Sequence, residues 1–291
     1  MRSPHIGGAV LPSISGTASA PIVSVCLPVF NGEKYLKEAV TSVLSQSYQN
    51  FELLVFDDAS TDGSWRLLNT FDDPRIHLHR NERNLGPEGN WNQALEAAKG
   101  TYVKLFHQDD LLASECLVRE VEILERNPSV VLVFSSRHII RANGKHIMIR
   151  GTRWNEGEIS GVKILRGCVI SGTNLVGEPS AVLFRASAAH KIGRFDASLP
   201  YVIDLDYWIR LLNEGTGYYL RTPLVSFRVS SQQWSAMIGS RQSHEFIDFV
   251  KRLESSGQLR SGALIRLWCQ FMARLNGILR SLVSHLLPQD L

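Results

Sequence analysis

The sequence predicts an α/β fold in which a Rossmann-like, mostly parallel sheet is flanked by helices and followed by a carboxyl-terminal helical extension. Near-continuous apolar strands, such as Phe51 to Phe56, alternate with segments whose apolar residues recur at helical spacing. Strands of this kind are typical of parallel sheets, which are covered on both faces. The 291 residues, of which 44% are hydrophobic, suffice for one large core.

The first half is predicted to contain repeated strand and helix units. We expect strands at Ile22–Pro28, Phe51–Phe56, Arg75–Arg80 and Thr101–His107, separated by helices at Glu33–Gln46, Ser64–Phe71 and Asn90–Lys99. Polar residues follow three of these strands: Asn31, Asp57-Asp58 and Asp109-Asp110. Ligands of parallel sheets bind beyond the carboxyl ends of the strands, so the three groups are expected to converge on a ligand.

The second half has a less regular pattern. We expect a helix at Ser114–Arg126, strands at Val130–Ser135, Ala181–Arg185 and Tyr218–Ser226, a hairpin turn at Asn143-Gly144, a helix at Asp206–Asn213 and helices from Glu245 onward. The stretch between the hairpin and Ala181 is predicted to be rich in loops.

Composition excludes several classes of protein. The 31 basic and 28 acidic residues give a net charge of only +3, which argues against a nucleic-acid partner. The four cysteines form no CxxC pair, which fits reduced thiols in a cytoplasmic protein. No apolar run approaches the roughly 20 residues that a membrane span requires.

The paired aspartates carry the chemical prediction. Adjacent carboxylates at Asp109 and Asp110 repel each other unless a cation offsets them, and oxygen ligands suit Mg²⁺ or Mn²⁺. The alternative is that this segment only leads into a helix. Asp57 or Asp58 could accept hydrogen bonds from a nucleobase or ribose, whereas Ser60 and Asp62 could simply cap the next helix.

No glycine-rich phosphate loop of either common type, GxGxxG or GxxxxGK[ST], occurs in the sequence, so a diphosphate would have to be held by metal. The order and spacing of four motifs resemble the family 2 glycosyltransferases. These motifs are Ser24 to Asn31, Leu53 to Asp62, Asn84 to Gly86, and Asp109-Asp110. The resemblance covers roughly Pro21 to Ser235. The segments Gly89 to Leu95 and Lys104 to Asp110 look like those of a bacterial subgroup that builds surface polysaccharides.

This resemblance implies a GT-A type fold and a nucleotide-sugar donor. The nucleotide pocket would be lined by Pro28, Phe30, Asn31, Glu33, Asp57, Asp58, Asn84, Gly86 and Asp109. Asp110 would be the direct ligand of Mn²⁺ or Mg²⁺, with Asp109 at the sugar, the ribose or the same metal. The family usually has an additional acid in this element, but here Gln108 precedes Asp109, which leaves the division of roles between the two carboxylates open.

A general base is expected in the second half, because transfer to a hydroxyl with inversion needs a carboxylate to accept its proton. The family has a Glu-Asp pair followed six residues later by Arg, and Asp204 with Arg210 keeps this spacing, although Ile203 replaces the Glu. Asp204 is therefore the preferred base and Asp206 its rival. On the acceptor side, the resemblance implies contacts from Glu178, Pro179, Ser180 and Trp208.

The predicted function is inverting transfer of a sugar from a UDP or dTDP sugar to a glycan or lipid-linked acceptor in cell-surface polysaccharide synthesis. Two alternatives remain: a nucleotidyltransferase that makes activated sugars, and a non-catalytic binding protein of the same fold. The nucleotidyltransferases usually carry a glycine-rich basic loop after the first strand, which Pro28 to Asn31 does not provide.

The chain is expected to comprise a flexible tail (1–20), a catalytic domain (21–235) and a helical extension (236–291). Within the catalytic domain, residues 21–110 would bind the nucleotide and residues 111–235 the acceptor. The 260–287 helix has an apolar face and a cationic face, which suits peripheral contact with the inner face of the cell membrane. Docking of this helix on its own domain or on another subunit is the alternative, and oligomerisation is left open.

Overall fold

A computed structural model describes residues 21–229 and 241–286. The predicted tail at 1–20 and the predicted boundary at 235/236 lie outside these residues. One ten-stranded sheet organises the described chain in the order β3-β2-β1-β4-β9-β6-β10-β5, with β7 paired to β6 and β8 to β10. The strands are β1 (Val23–Val29), β2 (Phe51–Asp57), β3 (Ile76–Arg80), β4 (Tyr102–Leu105), β5 (Leu111–Leu112), β6 (Val130–Arg141), β7 (His146–Arg150), β8 (Gly157–Ser160), β9 (Val182–Arg185) and β10 (Thr216–Val229).

Helices cover the sheet, and two of them form the carboxyl-terminal extension. The helices are α1 (Glu33–Leu44), α2 (Ser64–Leu68), α3 (Gly86–Ala97), α4 (Cys116–Arg126), α5 (Gly161–Ser171), α6 (Ala186–Ile192), α7 (Ile203–Leu211), α8 (Arg241–Ser255) and α9 (Ala263–Leu286). Short 3₁₀ turns at Pro179–Ala181 and Pro200–Val202 precede β9 and α7. The predicted α/β class is confirmed.

The parallel arrangement belongs to the first half of the sheet. Strand β1 pairs in parallel with β2 and β4, and β2 pairs in parallel with β3. The second half joins through antiparallel pairs of β9 with β4 and β6, while β6 and β10 are parallel. The complete sheet is therefore mixed, and the predicted parallel edge is formed by the strands that carry the polar groups.

Apolar cores lie on both faces of the sheet because side chains alternate along each strand. All seven residues of β1 are buried, with Val25 and Leu27 in one core and Cys26 in the other. The four cysteines are free and buried, as expected for structural thiols. The sheet is therefore a covered platform whose strand ends are its accessible edge.

Two differences from the sequence expectation bear on the site. Helix α3 begins at Gly86, four residues before the expected start, so the Asn84–Gly86 motif forms the helix entrance. The stretch expected to be rich in loops contains β8 and α5, and Ser160 caps α5 by accepting a hydrogen bond from the backbone N–H of Lys163. The Asn143-Gly144 turn is confirmed, with Gly144 at a φ of 80°.

Candidate active site

The loops that follow β1 and β2 are tied together at the carboxyl edge of the sheet. The backbone N–H of Asn31 donates to Ser60 Oγ (2.9 Å), and the backbone N–H of Thr61 donates to Asn31 Oδ1 (2.8 Å). Ser60 was expected to cap α2, but it serves the entrance of α1 instead. Asp62 binds the starts of both helices. Its Oδ2 accepts a hydrogen bond from the backbone N–H of Glu33 in α1, and its Oδ1 accepts one from the backbone N–H of Ser64 in α2. The first N–H groups of α1 thus obtain acceptors from the neighbouring loop.

Asp57 and Asp58 are both buried at this edge of the sheet, where they bind the neighbouring segments. Asp58 accepts hydrogen bonds from Asn81 Nδ2 (2.8 Å) and from the backbone N–H groups of Leu85 (2.9 Å) and Gly86 (3.0 Å). Asp57 forms an ion pair with Arg80 at 3.1 Å. Asp58 therefore holds the start of α3 in place. The hydrogen bonds that its side chain accepts from backbone N–H groups also orient the Asn84–Gly86 segment, which the sequence resemblance placed at the nucleotide.

Some of the other residues expected to line the nucleotide pocket are buried or hydrogen-bonded to neighbouring loops, and others are exposed at its rim. Pro28 is buried within β1, and the Glu33 carboxylate accepts a hydrogen bond from Gly63 N (2.9 Å). Phe30 is 44% exposed, which leaves its ring available for a flat ligand. Asn31 and Asn84 are also exposed. The rim on which a nucleoside could lie is thus formed mainly by Phe30, Asn31 and Asn84.

Gln108 joins the ends of β1 and β4. Its Oε1 accepts from the backbone N–H of Phe30 (2.9 Å), and its Nε2 donates to the Phe30 carbonyl (3.0 Å). A carboxylate at this position could only accept, so the replacement of the expected acid by an amide supplies a second bond. The bond pair links the exposed Phe30 to the acidic segment.

His107, Asp109 and Asp110 form the candidate metal centre. One ligand atom from each of the three residues lies within 4.8 Å of the others. His107 Nε2 is buried and has no hydrogen-bond partner among the described residues, and burial lowers the pKa of this imidazole. The carboxylate oxygens suit Mn²⁺ or Mg²⁺, whereas a neutral imidazole ligand is less typical of Mg²⁺, so the complete set suits Mn²⁺ better. The residues present therefore fit the divalent cation expected from the sequence.

The two aspartates differ in their surroundings. Asp110 is fully buried, and its oxygens accept from Ser180 Oγ (2.6 Å) and from the backbone N–H of Arg228 (3.1 Å). Burial, reinforced by the charge of Asp109, raises the pKa of Asp110 well above its usual range. Asp109 is only partly buried, and its carbonyl oxygen accepts from Arg228 Nε (2.9 Å). The side chain of Asp109 is the better exposed of the two toward a ligand.

Asp204, the preferred base, lies partly buried at the start of α7. Asn174 Nδ2 donates to Asp204 Oδ2 (3.1 Å), and the backbone N–H of Leu205 donates to Oδ1 (2.7 Å). Burial raises the pKa of Asp204 to about 7, with a further contribution from the charge of Glu178, although both hydrogen bonds act in the opposite direction. A carboxyl group with this pKa can exchange a proton near neutral pH.

Asp206, the rival base, is engaged elsewhere. Its Oδ2 accepts from Arg210 Nε (2.8 Å), and its Oδ1 lies 3.4 Å from Arg252 on α8. Arg210 also donates to the carbonyls of Ile192 and Arg194. Asp206 therefore contacts α8 through Arg252 and, through Arg210, the end of α6. This geometry separates two carboxylates that the sequence left as competitors.

The expected acceptor residues are mostly buried supports. Trp208 is fully buried and donates from Nε1 to the Gly177 carbonyl (3.1 Å), so it packs beneath this loop, and its expected contact with an acceptor stays a prediction. Pro179 and Ser180 are buried in the 3₁₀ turn before β9. Glu178 forms an ion pair with Arg137 and lies 3.5 Å from Arg150. Burial alone would raise the pKa of Glu178, but these arginines hold it below its usual value.

Four residues at the site were not identified from sequence: His107, Arg137, Asn174 and Arg228. Arg137 and Arg228 interrupt apolar strands, and a buried charge in such a run needs a partner, which is a signal that sequence alone contains. Arg228 Nη2 lies 2.8 Å from Glu38, and its guanidinium lies 4.3 Å from the Tyr35 ring centroid. Nothing in the local pattern around Asn174 marks its role.

Sequence comparisons identify the family that this site resembles. Residues 24–193 match the model of glycosyl transferase family 2. An uncharacterized protein of Mycobacterium tuberculosis is 32% identical over 209 residues, which cover 68% of this chain and 64% of that protein. The Escherichia coli UDP-Glc:alpha-D-GlcNAc-diphosphoundecaprenol beta-1,3-glucosyltransferase WfaP is 26% identical over 268 residues, covering 91% of this chain and 97% of WfaP.

Solved structures show the same fold at low sequence identity. Staphylococcus aureus TarS in complex with UDP-GlcNAc has a TM-score of 0.66 and 17% identity, covering 89% of this chain and 72% of TarS. The Pyrobaculum calidifontis mannosyltransferase PcManGT, in complex with GDP-Man and Mn²⁺, has a TM-score of 0.61 and 18% identity, covering 96% and 79%. The fold is of the GT-A type, as the sequence resemblance implied.

Proposed function

Because the chain belongs to glycosyl transferase family 2, we propose that it transfers a sugar from a UDP or dTDP sugar to a hydroxyl group of a glycan or lipid-linked acceptor, with inversion. One observation carries the proposal. The segment from Asn174 to Ser180 donates hydrogen bonds to both halves of the site, from Asn174 to Asp204 and from Ser180 to Asp110. The candidate metal centre and the candidate base are therefore hydrogen-bonded to the same short segment.

On the donor side, Phe30, Asn31 and Asn84 would bind the nucleoside, and Asp58 would keep the Asn81–Gly86 loop in position. Asp109, assisted by His107, would hold Mn²⁺ or Mg²⁺, while Asp110 would anchor the segment through Ser180 and Arg228. A bound divalent cation supplies charge neutralisation for a leaving diphosphate. This assignment moves the direct metal contact from Asp110, the ligand that the resemblance implied, to Asp109.

On the acceptor side, Asp204 would accept the proton of the attacking hydroxyl group. The hydroxyl oxygen forms a bond to the anomeric carbon from one face as the bond from that carbon to the diphosphate oxygen breaks on the other. The proton passes to a carboxylate oxygen of Asp204, and the nucleoside diphosphate leaves with the bonding electron pair. The pKa of about 7 supports this role, because much of the carboxylate is then free to accept a proton at neutral pH.

A lipid-linked acceptor is supported by a relative's printed activity. WfaP acts on a GlcNAc-diphosphoundecaprenol, and its similarity covers 91% of this chain. We therefore propose a cytoplasmic location at the inner face of the cell membrane and a role in surface polysaccharide synthesis. No helix within residues 21–229 and 241–286 is long and apolar enough to cross a membrane.

A donor screen tests the proposal. The protein is incubated with UDP, dTDP and GDP sugars and Mn²⁺, and release of nucleoside diphosphate is measured for the wild type, Asp109→Asn and Asp204→Asn. The exposed Asp248 on α8, which pairs with Lys251, provides a matched control as Asp248→Asn. Both site variants should lose product while the control retains it. Release of pyrophosphate would instead favour a nucleotidyltransferase, and binding without turnover would favour a non-catalytic protein.

A further inference from the structure

Helix α9 attaches to the rest of the protein through a narrow stripe. Cys269 and Ala273 are buried, and Asn276 Nδ2 donates to the carbonyl of Ser171 at the end of α5 (2.7 Å). The guanidinium of Arg280 lies over the ring of Tyr201, 5.3 Å from its centroid. These four side chains recur every three or four residues, so they form a single line along one side of the helix.

The opposite side of α9 carries large apolar side chains that are exposed. We call this surface the outer face of α9, and it consists of Leu264 (82% exposed), Leu267 (62%), Trp268 (50%), Phe271 (55%), Ile278 (58%) and Leu279 (50%). Ile170 of α5 is 52% exposed, and its carbonyl accepts from Trp268 Nε1 (3.0 Å), so it extends the surface. Contiguous exposed apolar side chains of this extent mark an interaction surface.

Basic side chains predominate around the outer face, although Arg266 lies 3.8 Å from Glu254. No acidic residue occurs between Glu254 and Asp290, whereas Arg260, Arg266 and Arg274 lie in this segment and are exposed. Lys163 and Arg166 on the neighbouring α5 are exposed as well. An apolar strip flanked by cations complements a surface that presents hydrocarbon beneath anionic headgroups.

A second copy of this chain fits the outer face less well. A symmetric pair would use the same patch on both subunits, so the arginines that border the strip would face each other without acidic partners from this segment. Apart from the hydrogen bond of Trp268 to Ile170, the intramolecular contacts of α9 described above lie on the side opposite the apolar strip. The charge pattern therefore favours an anionic lipid surface.

We propose that α9 lies in the interface of an anionic lipid bilayer, with its outer face inserted and its arginines at the headgroups. The contact of Arg280 with Tyr201 connects this helix to the turn immediately before Asp204. A lipid-linked acceptor would then meet the base while its lipid remains in the membrane. This consequence rests on the proposed glycosyl transfer, whereas membrane binding itself does not.

Vesicle flotation tests the proposal. The full chain is mixed with vesicles of phosphatidylcholine alone or with phosphatidylglycerol added, and the bound fraction is measured. Wild-type protein should float with the anionic vesicles, and Trp268→Glu/Phe271→Glu should reduce the partition coefficient at least about tenfold, because two exposed apolar side chains that would insert into the bilayer become charged. The matched control is Met148→Glu/Ile149→Glu on β7, where both residues are 53% exposed, and it should bind as the wild type does.

The controls distinguish the possible failures. Circular dichroism melting of each variant establishes that it is folded, and nucleoside diphosphate release without vesicles reports on the transferase independently of lipid. Failure of the folded wild type to float with anionic vesicles would overturn the membrane proposal even if release is normal. Concentration-dependent dimerisation that the α9 substitutions abolish, without flotation, would identify a second copy as the occupant and also overturn it.

Discussion

The side-chain amide of Gln108 forms two hydrogen bonds with the backbone of Phe30, one accepted from its N–H and one donated to its carbonyl. This pair joins the strand end that bears the exposed aromatic ring to the segment that bears Asp109. The family pattern usually has an acid in this segment, and an acid could not make both bonds. The departure from the pattern therefore preserves a link between the nucleoside rim and the candidate metal centre.

Gly32 should be required for this link. A Cβ at position 32 would overlap Gln108 Oε1, so Gly32→Ala should displace the amide and lower the free energy of unfolding by about 1 kcal/mol. Urea unfolding measures the change. In Gly32→Ala/Gln108→Ala the clash is absent, so the loss should be smaller than the sum of the two single losses. Strict additivity would show that the two side chains do not interact.

Substitutions of Asp109 and Asp110 should affect different properties: nucleotide binding for Asp109 and folding stability for Asp110. Asp109→Asn should abolish Mn²⁺-dependent nucleotide binding in calorimetric titration while the melting temperature of the unliganded protein changes little. Asp110→Asn should cost about 2 kcal/mol of stability, because an amide nitrogen would face a buried hydrogen-bond donor. Chelation with EDTA should remove nucleotide binding from the wild type and reproduce the Asp109 variant. The reverse pattern would return Asp110 to the role of direct ligand.

The transfer rate should depend on the ionisation of Asp204. Its pKa of about 7 means that the carboxylate is lost as pH falls through neutrality, so the rate should decline below about pH 7 and level off above it. Single-turnover kinetics across this range measure the profile. Asp204→Asn should bind donor as the wild type does and transfer no sugar. A wild-type profile that is flat through neutrality would argue for another base.

The pH dependence of folding stability should also report the ionisation of Asp204. Here the protonated form is the one that favours the folded state. Asp204 has a folded pKa above its ordinary value of 3.8, so the folded state binds the proton more tightly than the unfolded state between these values. Its contribution is therefore greatest in acid and declines as pH rises toward 7. The melting temperature of wild type relative to Asp204→Asn should be lower at about pH 8 than at about pH 5. An unchanged difference would indicate an unshifted carboxyl group.

Asn174 should act as a positioning residue for Asp204. Asn174→Ala removes a hydrogen bond that lowers the pKa of Asp204, so the midpoint of the pH-rate profile should move to higher pH. We expect kcat to fall about tenfold through lost orientation, with the donor Kd unchanged. Asn69→Ala, at the exposed end of α2, provides the control. A lower kcat with an unmoved pH midpoint would indicate only general disruption.

The sequence predicted the strand and helix order because apolar periodicity is a local property. The four parallel strands of the first half, the Asn143-Gly144 turn and α7 were all anticipated near their observed positions. Helix α5 was missed because the loop-rich composition before it obscured a short apolar pattern. Helix α3 starts early because Asp58 binds the N–H groups of Leu85 and Gly86, a contact across 27 and 28 residues that periodicity does not encode.

By itself, the sequence determined the family, the α/β class and the carboxylates that surround the site, since motif order and spacing are properties of the chain. Tertiary structure alone decided which of those carboxylates are buried with hydrogen-bonded oxygens and which are partly exposed. Asp110 receives its partners from Ser180 and Arg228, which are 70 and 118 residues away, and Asp206 receives one from Arg252, 46 residues away. A buried carboxylate must be satisfied by hydrogen bonds, and the groups that satisfy it come together only when the chain folds.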